Sequence, residues 1–165
     1  MWKTGHITPV WNENYKNFNY IKKPLNLKEE ASWNNSNYNS MSFGGSLYDN
    51  SNPMPDWITS LGEKIGLTNC GYSFYKMITG EIIPEHVDHY NLYCKLFNIP
   101  KEQVKRAIIF LEDWKSGHYF EMAGHPIMDY KAGDYVYWSY NVPHLAANIG
   151  VEDRYTLQIT GIENE

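Results

Sequence analysis

Residues 154–160, Arg-Tyr-Thr-Leu-Gln-Ile-Thr, alternate polar and apolar without a break. Side chains two apart on a strand share a face. The run therefore presents Arg154, Thr156, Gln158 and Thr160 on one side and Tyr155, Leu157 and Ile159 on the other. A helix does not segregate such a pattern, so this end of the chain is expected to be pleated. The polar face has two destinations, water or the lining of a cavity inside a barrel. The strand alone does not choose between them.

Other segments support a mainly β fold. Residues 73–79 form one candidate strand, and residues 103–111 contain Ala-Ile-Ile-Phe-Leu, apolar on both faces as a buried strand is. Gly133-Asp134 predicts a turn into a strand over 135–139. Short strands separated by turn signals, in a chain with 14 Tyr, predict an all-β sandwich or jelly roll. Upstream, Asn52-Pro53 is expected to open a helix capped by Asn52. Trp57, Ile58, Leu61 and Ile65 would lie on one face, and Gly66 would stop it. The Asn- and Ser-rich residues 32–40 predict a loop, and Phe-Gly-Gly-Ser at 43–46 a turn. There is no repeat and no sign of a second hydrophobic core. The expectation is one domain over 1–165, with an irregular, partly helical part at 1–71 and a β core at 72–162.

The bulk numbers exclude some classes of function. A length of 165 residues is enough for one core, and a formal charge of -5 argues against nucleic acid or an anionic membrane as partner. No apolar run is long enough to span a bilayer, and residues 1–6 lack the hydrophobic stretch of an export signal. Cys70 and Cys94 form neither a disulfide framework nor a CxxC metal motif, which fits reduced thiols in a cytoplasmic protein. Nothing in the sequence speaks to oligomeric state.

Chemistry enters at His86-Val87-Asp88, where residues at i and i+2 on a strand end can turn an imidazole and a carboxylate to one ion. With six His and 19 acidic residues, one such pair is close to chance. A third ligand must come from a distant strand, and His144, just after the strand at 135–139, is the best candidate. Two His and one carboxylate leave adjacent positions open on a metal, as non-haem Fe(II) needs to hold a co-substrate and O₂. Ten residues past His144 stands Arg154, with Thr156 two further on. A guanidinium fork and a hydroxyl on one strand face suit the far carboxylate of a dicarboxylate in a dry pocket. That gives the polar face of the last strand a reason to be inside.

HxD, a distal His and an Arg-x-Thr pair ten residues beyond it resemble the 2-oxoglutarate/Fe(II)-dependent oxygenase superfamily. Residues 75–88 look like the Tyr…Gly…HxD segment of its prolyl-hydroxylase-like members. Residues 106–120 are similar to their next strand and glycine turn, and residues 132–138 to the strand before the distal His. The resemblance spans residues 72–161. It implies a double-stranded β-helix (jelly roll) with supporting helices N-terminal to the core. It implies Fe(II) on His86, Asp88 and His144, 2-oxoglutarate on Arg154 with help from Thr156 and Tyr75, and O₂ as oxidant. The implied reaction releases succinate and CO₂ and hydroxylates an unactivated C–H of a peptidyl or small-molecule substrate. Asp88 points away from halogenation, since the superfamily's halogenases carry a small residue there. Arg154, where prolyl hydroxylases often carry Lys, points away from a prolyl substrate. Thr160, where nucleic-acid demethylases carry a second Arg, points away from nucleobases.

Two other readings stay open: a cupin-type metalloenzyme that does not use 2-oxoglutarate, and a non-catalytic jelly-roll binding module. Among the remaining polar and aromatic residues, His118 is expected in a turn beside the site, facing substrate or solvent. Asn148 could hydrogen-bond near His144. His89 could support a ligand from behind but is rather expected to be packed or exposed, and Tyr90, Tyr93 and Trp138 could line a substrate pocket but are each rather expected to pack in the core or at the rim.

Overall fold

A computed structural model describes residues 1–22, 31, 35 and 43–163. In chain order its strands are β1 (Trp2–His6), β2 (Ser46–Asp49), β3 (Leu67–Met77), β4 (Ile82–His86), β5 (Val104–Phe110), β6 (His118–Met122), β7 (His125–Pro126), β8 (Asp134–Ser139), β9 (His144–Asn148) and β10 (Arg154–Glu163). The short α-helices α1 (Ile58–Lys64) and α2 (Asn91–Phe97) lie between them. A six-stranded sheet runs β1-β8-β5-β10-β3-β2 and a four-stranded sheet runs β4-β9-β6-β7, with every strand pair antiparallel. From β3 onward the chain passes back and forth between the sheets, with only β7 staying beside β6. This is the mainly β, double-stranded β-helix architecture that the strand pattern and the resemblance predict.

Both faces of β10 are used. Leu157 and Ile159 are fully buried in a cluster with Ile58, Leu61, Leu67, Phe74 and the ring of Tyr15, beneath α1 and the N-terminal aromatics. Arg154 and Thr156 face the other way, into the space between the sheets, where Phe110, Phe120, Val136 and Trp138 form a second cluster. The cavity destination is the one the polar face takes. Burial of each large apolar side chain is worth about 1.5–3 kcal/mol, so Leu157→Ala would loosen the sheet from its helix. That there are two clusters was not expected, because part of the outer one is built from rings scattered through a polar N-terminal segment.

Several local expectations shift. The helix starts at Ile58, not at residue 53, and Asn52 does not cap it; its N-cap is Trp57, without a side-chain bond. Residues that precede proline avoid the helical region, and Pro53 and Pro55 delay the start until Ile58 N–H reaches the Pro55 carbonyl. Gly66, at φ +79, ends it as expected. β3 begins at Leu67 rather than 73 and stops at Met77. The N-terminal part supplies both edge strands, β1 and β2, of the large sheet, so the sheet does not respect a boundary at residue 72. The Asn/Ser stretch 32–40 lies outside the described residues except for Asn35, which has helical backbone. No helix among the described residues is long and apolar enough to cross a membrane.

Register places the inward residues in rows. Thr156 lies opposite Tyr75 on β3 and Phe110 on β5, Gln158 opposite Ser73 and Ile108, and Thr160 opposite Gly71 and Arg106. In the small sheet His86 pairs directly with His144.

Candidate metal centre

The β4–β9 pairing brings the rings of His86 and His144 to 4.4 Å between centroids. Each ring turns its Nδ1 to the carbonyl two residues back, His86 to Pro84 at 2.8 Å and His144 to Val142 at 2.9 Å. A carbonyl only accepts, so Nδ1 carries the proton on both rings and each Nε2 keeps its lone pair for an ion. Asp88 sits two residues past His86, just beyond the end of β4, with Oδ2 at 3.6 Å from His144 Nε2. Ligand atoms of the three residues all lie within 4.8 Å of one another, so the trio can hold a metal ion. Trp138 backs the site, its ring 4.9 Å from that of His144.

Asp88 is gripped from outside the trio. Arg106 Nη1 donates to Oδ1 at 2.8 Å and the Tyr90 hydroxyl donates to Oδ2 at 3.0 Å. Burial pushes the Asp88 carboxyl up, but Arg106, the two imidazoles and Tyr90 together hold it below the usual carboxylate range. Burial pushes His144 down to about 4, against the pull of Asp88, so its ring is neutral near pH 7 and ready to ligate. Neither Arg106 nor Tyr90 was foreseen as a partner of Asp88. The available signal was Arg106 itself, a cation at the head of an inward-facing row continued by Ile108 and Phe110, which needs a buried counter-ion.

A narrow cavity of about 30 Å³ leads from the two His, past Ile108 and Phe120, to Tyr75, Thr156 and Arg154. Arg154 is 3% exposed and its Nε and Nη2 have no hydrogen-bond partner. Nη1 meets the Met77 Sδ at 3.6 Å, the Tyr130 phenol leans on the guanidinium, and the group stands 5.8 Å from the Phe110 ring centroid and 5.7 Å from that of Phe120. No acidic residue among those described pairs with it. An unpaired buried guanidinium is costly to keep, and it fits a bound anion. Tyr75 adds a phenol that accepts the Gly45 N–H at 2.6 Å, leaving its own O–H to donate. Burial raises its pKa to about 12, so it stays neutral. Only glycine fits at 45, since a Cβ there would strike the Lys76 carbonyl and the Tyr75 ring.

Other expectations resolve individually. His118 is not in a turn but opens β6, 3% exposed, with Nε2 on the Glu152 carbonyl at 3.0 Å, so it does not face solvent. The turn ends one residue earlier, at Gly117 with φ +88. Asn148 does not serve His144. Its amide donates to the carbonyls of Met77 at 2.9 Å and Glu152 at 2.8 Å and so pins the loop before Arg154. His89 is exposed. Tyr93 donates to the Asn69 carbonyl at 2.7 Å.

No protein-family model matches the sequence, and no curated protein matches it. Among solved structures, a prolyl-4-hydroxylase from Pseudomonas putida superposes with a TM-score of 0.60 over 99% of this chain and 93% of its own, at 15% identity. A cupin protein from Bacteroides fragilis covers 88% of this chain and 86% of its own, at 14% identity and a TM-score of 0.42. A predicted oxalate decarboxylase from Thermotoga maritima covers 71% of this chain and 79% of its own, at 14% identity and a TM-score of 0.43. At such identity the first likeness speaks to the fold, and what happens at the site must be argued from its residues.

Proposed function

We propose that the chain is an Fe(II)- and 2-oxoglutarate-dependent oxygenase that hydroxylates an unactivated C–H of a peptidyl or small-molecule substrate. The observation that carries this is the unpaired, buried guanidinium of Arg154 in the same cavity as His86 and His144. A metal trio at one end and an open cationic fork at the other suit a ligand that chelates metal and carries a distant carboxylate. 2-Oxoglutarate is such a molecule. A cupin-type centre that ignores it has no use for that cation.

The residues fit both groups. Two imidazole Nε2 atoms and one carboxylate oxygen are the donor set suited to Fe(II), and the free N–H groups of Arg154 with the Thr156 and Tyr75 hydroxyls are donors for the far carboxylate. When bound, the iron and 2-oxoglutarate supply the activation of O₂, with succinate and CO₂ as by-products. This chain's residues do the rest. Arg106 holds one Asp88 oxygen so that the carboxylate stays aimed at the trio, and Tyr75 donates without giving up its proton. Phe110, Phe120 and Trp138 keep the surroundings dry. Met77, the adaptable side chain against Arg154, is the group that a bound carboxylate would displace.

The test is anaerobic loading with Fe(II), then NMR of 2-oxoglutarate after admission of air. Succinate formation in the wild type that vanishes in His86→Ala and in Arg154→Ala supports the proposal. Metal binding with no 2-oxoglutarate affinity, unchanged in Arg154→Ala, points instead to a cupin-type centre. Failure to bind any divalent metal leaves a binding module.

A further inference from the structure

A wider groove of about 430 Å³ adjoins the narrow cavity, and Arg106 and Gln158 line both. One rim is α2, where Leu92 is 82% and Leu96 73% exposed; the other is the turn after β2, around the exposed Asn50 and Ser51. Between the rims the floor is Gly71, opposite Thr160.

The chemistry of the lining is specific. The Arg106 charge is spent on Asp88, and its Nε and Nη2 donate to Thr160 Oγ1 at 3.3 and 3.2 Å. Among the described residues the groove therefore offers no free cation to a phosphate or carboxylate, and its carboxylate, Asp49, accepts the Ser51 N–H and hydroxyl. It offers amide: the half-buried Gln158 side chain, with donor and acceptor both unused, at the junction with the metal cavity. A Cβ built on Gly71 has only Asn50 Oδ1, at 3.9 Å, within reach, so the floor is flat and the space above it open.

We propose that this groove seats the substrate, and that the substrate is an uncharged peptide segment lying extended over Gly71 with one of its peptide units read by Gln158. That it is substrate rests on the oxygenase reading; that it binds does not. A peptide unit carries the one acceptor and one donor that a primary amide matches. The two Leu, one helical turn apart on the rim, give its apolar side chains a contact that a sugar would not use. Exposed residues form both rims, so the bound segment can continue into a longer chain.

The test uses the full chain, with and without Zn(II), and pools of N-acetylated, C-amidated pentapeptides lacking Asp, Glu, Lys and Arg. Acidic pools and maltopentaose represent the competing chemistries. Uncharged pools are expected to shift the NMR signals of the Gly71 amide and the Gln158 side chain saturably. Gly71→Val, whose Cβ has only Asn50 Oδ1 within 4 Å, is expected to weaken binding at least ~10-fold while melting within about 2 °C of wild type. Gln158→Ala is expected to weaken it ~3- to 10-fold. Absence of shifts with every uncharged pool, shifts that persist in Gly71→Val, or binding of maltopentaose or acidic pools alone overturns the proposal. Peptide binding without 2-oxoglutarate turnover supports the groove and removes the oxygenase reading. Turnover without peptide binding does the reverse.

Discussion

Arg106 and Asp88 form a partly buried ion pair at 2.8 Å between β5 and the segment after β4, and Asp88 is at the same time one of the three groups able to hold a metal. Without an ion, Arg106 is the charge that makes a buried carboxylate tolerable. Removing one partner of such a pair leaves the other stranded.

Arg106→Met is therefore expected to cost the metal-free protein about 2–4 kcal/mol in urea unfolding. Saturating Mn(II) should restore part of the loss, because the ion then supplies the missing positive charge. A loss that Mn(II) does not reduce would show that Arg106 serves packing alone.

His144 makes the metal-free protein sensitive to mild acid. Its folded pKa is lowered from 6.5 to about 4, so between these values the unfolded state binds the proton and the folded state does not. Stability then falls as pH drops through that window, by about 3 kcal/mol at most. Asp88 titrates below it, since its carboxyl is lowered from 3.8, and adds its own loss only in stronger acid. Unfolding midpoints of wild type and His144→Gln across this pH range check the point: the slope should flatten in the variant.

Arg154 is held against the interest of the ligand-free fold. Arg154→Met removes a guanidinium with two unpaired nitrogens and fills the space between Phe110 and Phe120 with an apolar chain. We expect the ligand-free protein to gain about 1–3 kcal/mol, and 2-oxoglutarate binding to weaken at least ~30-fold. Calorimetric melting and ligand titration on the same sample separate the two effects.

Gly45→Ala should act on the site without replacing any group that binds there. Its methyl collides with the Lys76 carbonyl and the Tyr75 ring, so we expect a loss of about 1–3 kcal/mol and a displaced Tyr75. A chemical-shift change at the labelled Tyr75 ring is the readout; an unmoved ring would mean that the strand yields instead.

The legible and illegible parts of this protein differ in how far their causes lie along the chain. Arg154 and Thr156 could be placed because period-two alternation needs only neighbouring residues, and Gly66 because a left-handed stop is a local event. Arg106 could not, since its counter-ion lies 18 residues away and follows a strand of the other sheet, so only the facing of the two sheets brings the pair together. β1 is a largely exposed edge strand and α2 buries no residue, so neither carries the apolar periodicity by which such elements are recognised. The late start of α1 was written in Pro53 and Pro55, but Pro also favours a first helical turn, and the two preferences compete.

β10 is committed on both faces, one to the α1 cluster and one to the lining of the site, while α2 buries nothing. Inheritance should treat the two unequally. Substitutions in the strand change fold and chemistry together and are quickly purged. Substitutions along the exposed rim cost the fold little, so a lineage could exchange one target for another by drift in α2 while the reaction beneath stays the same.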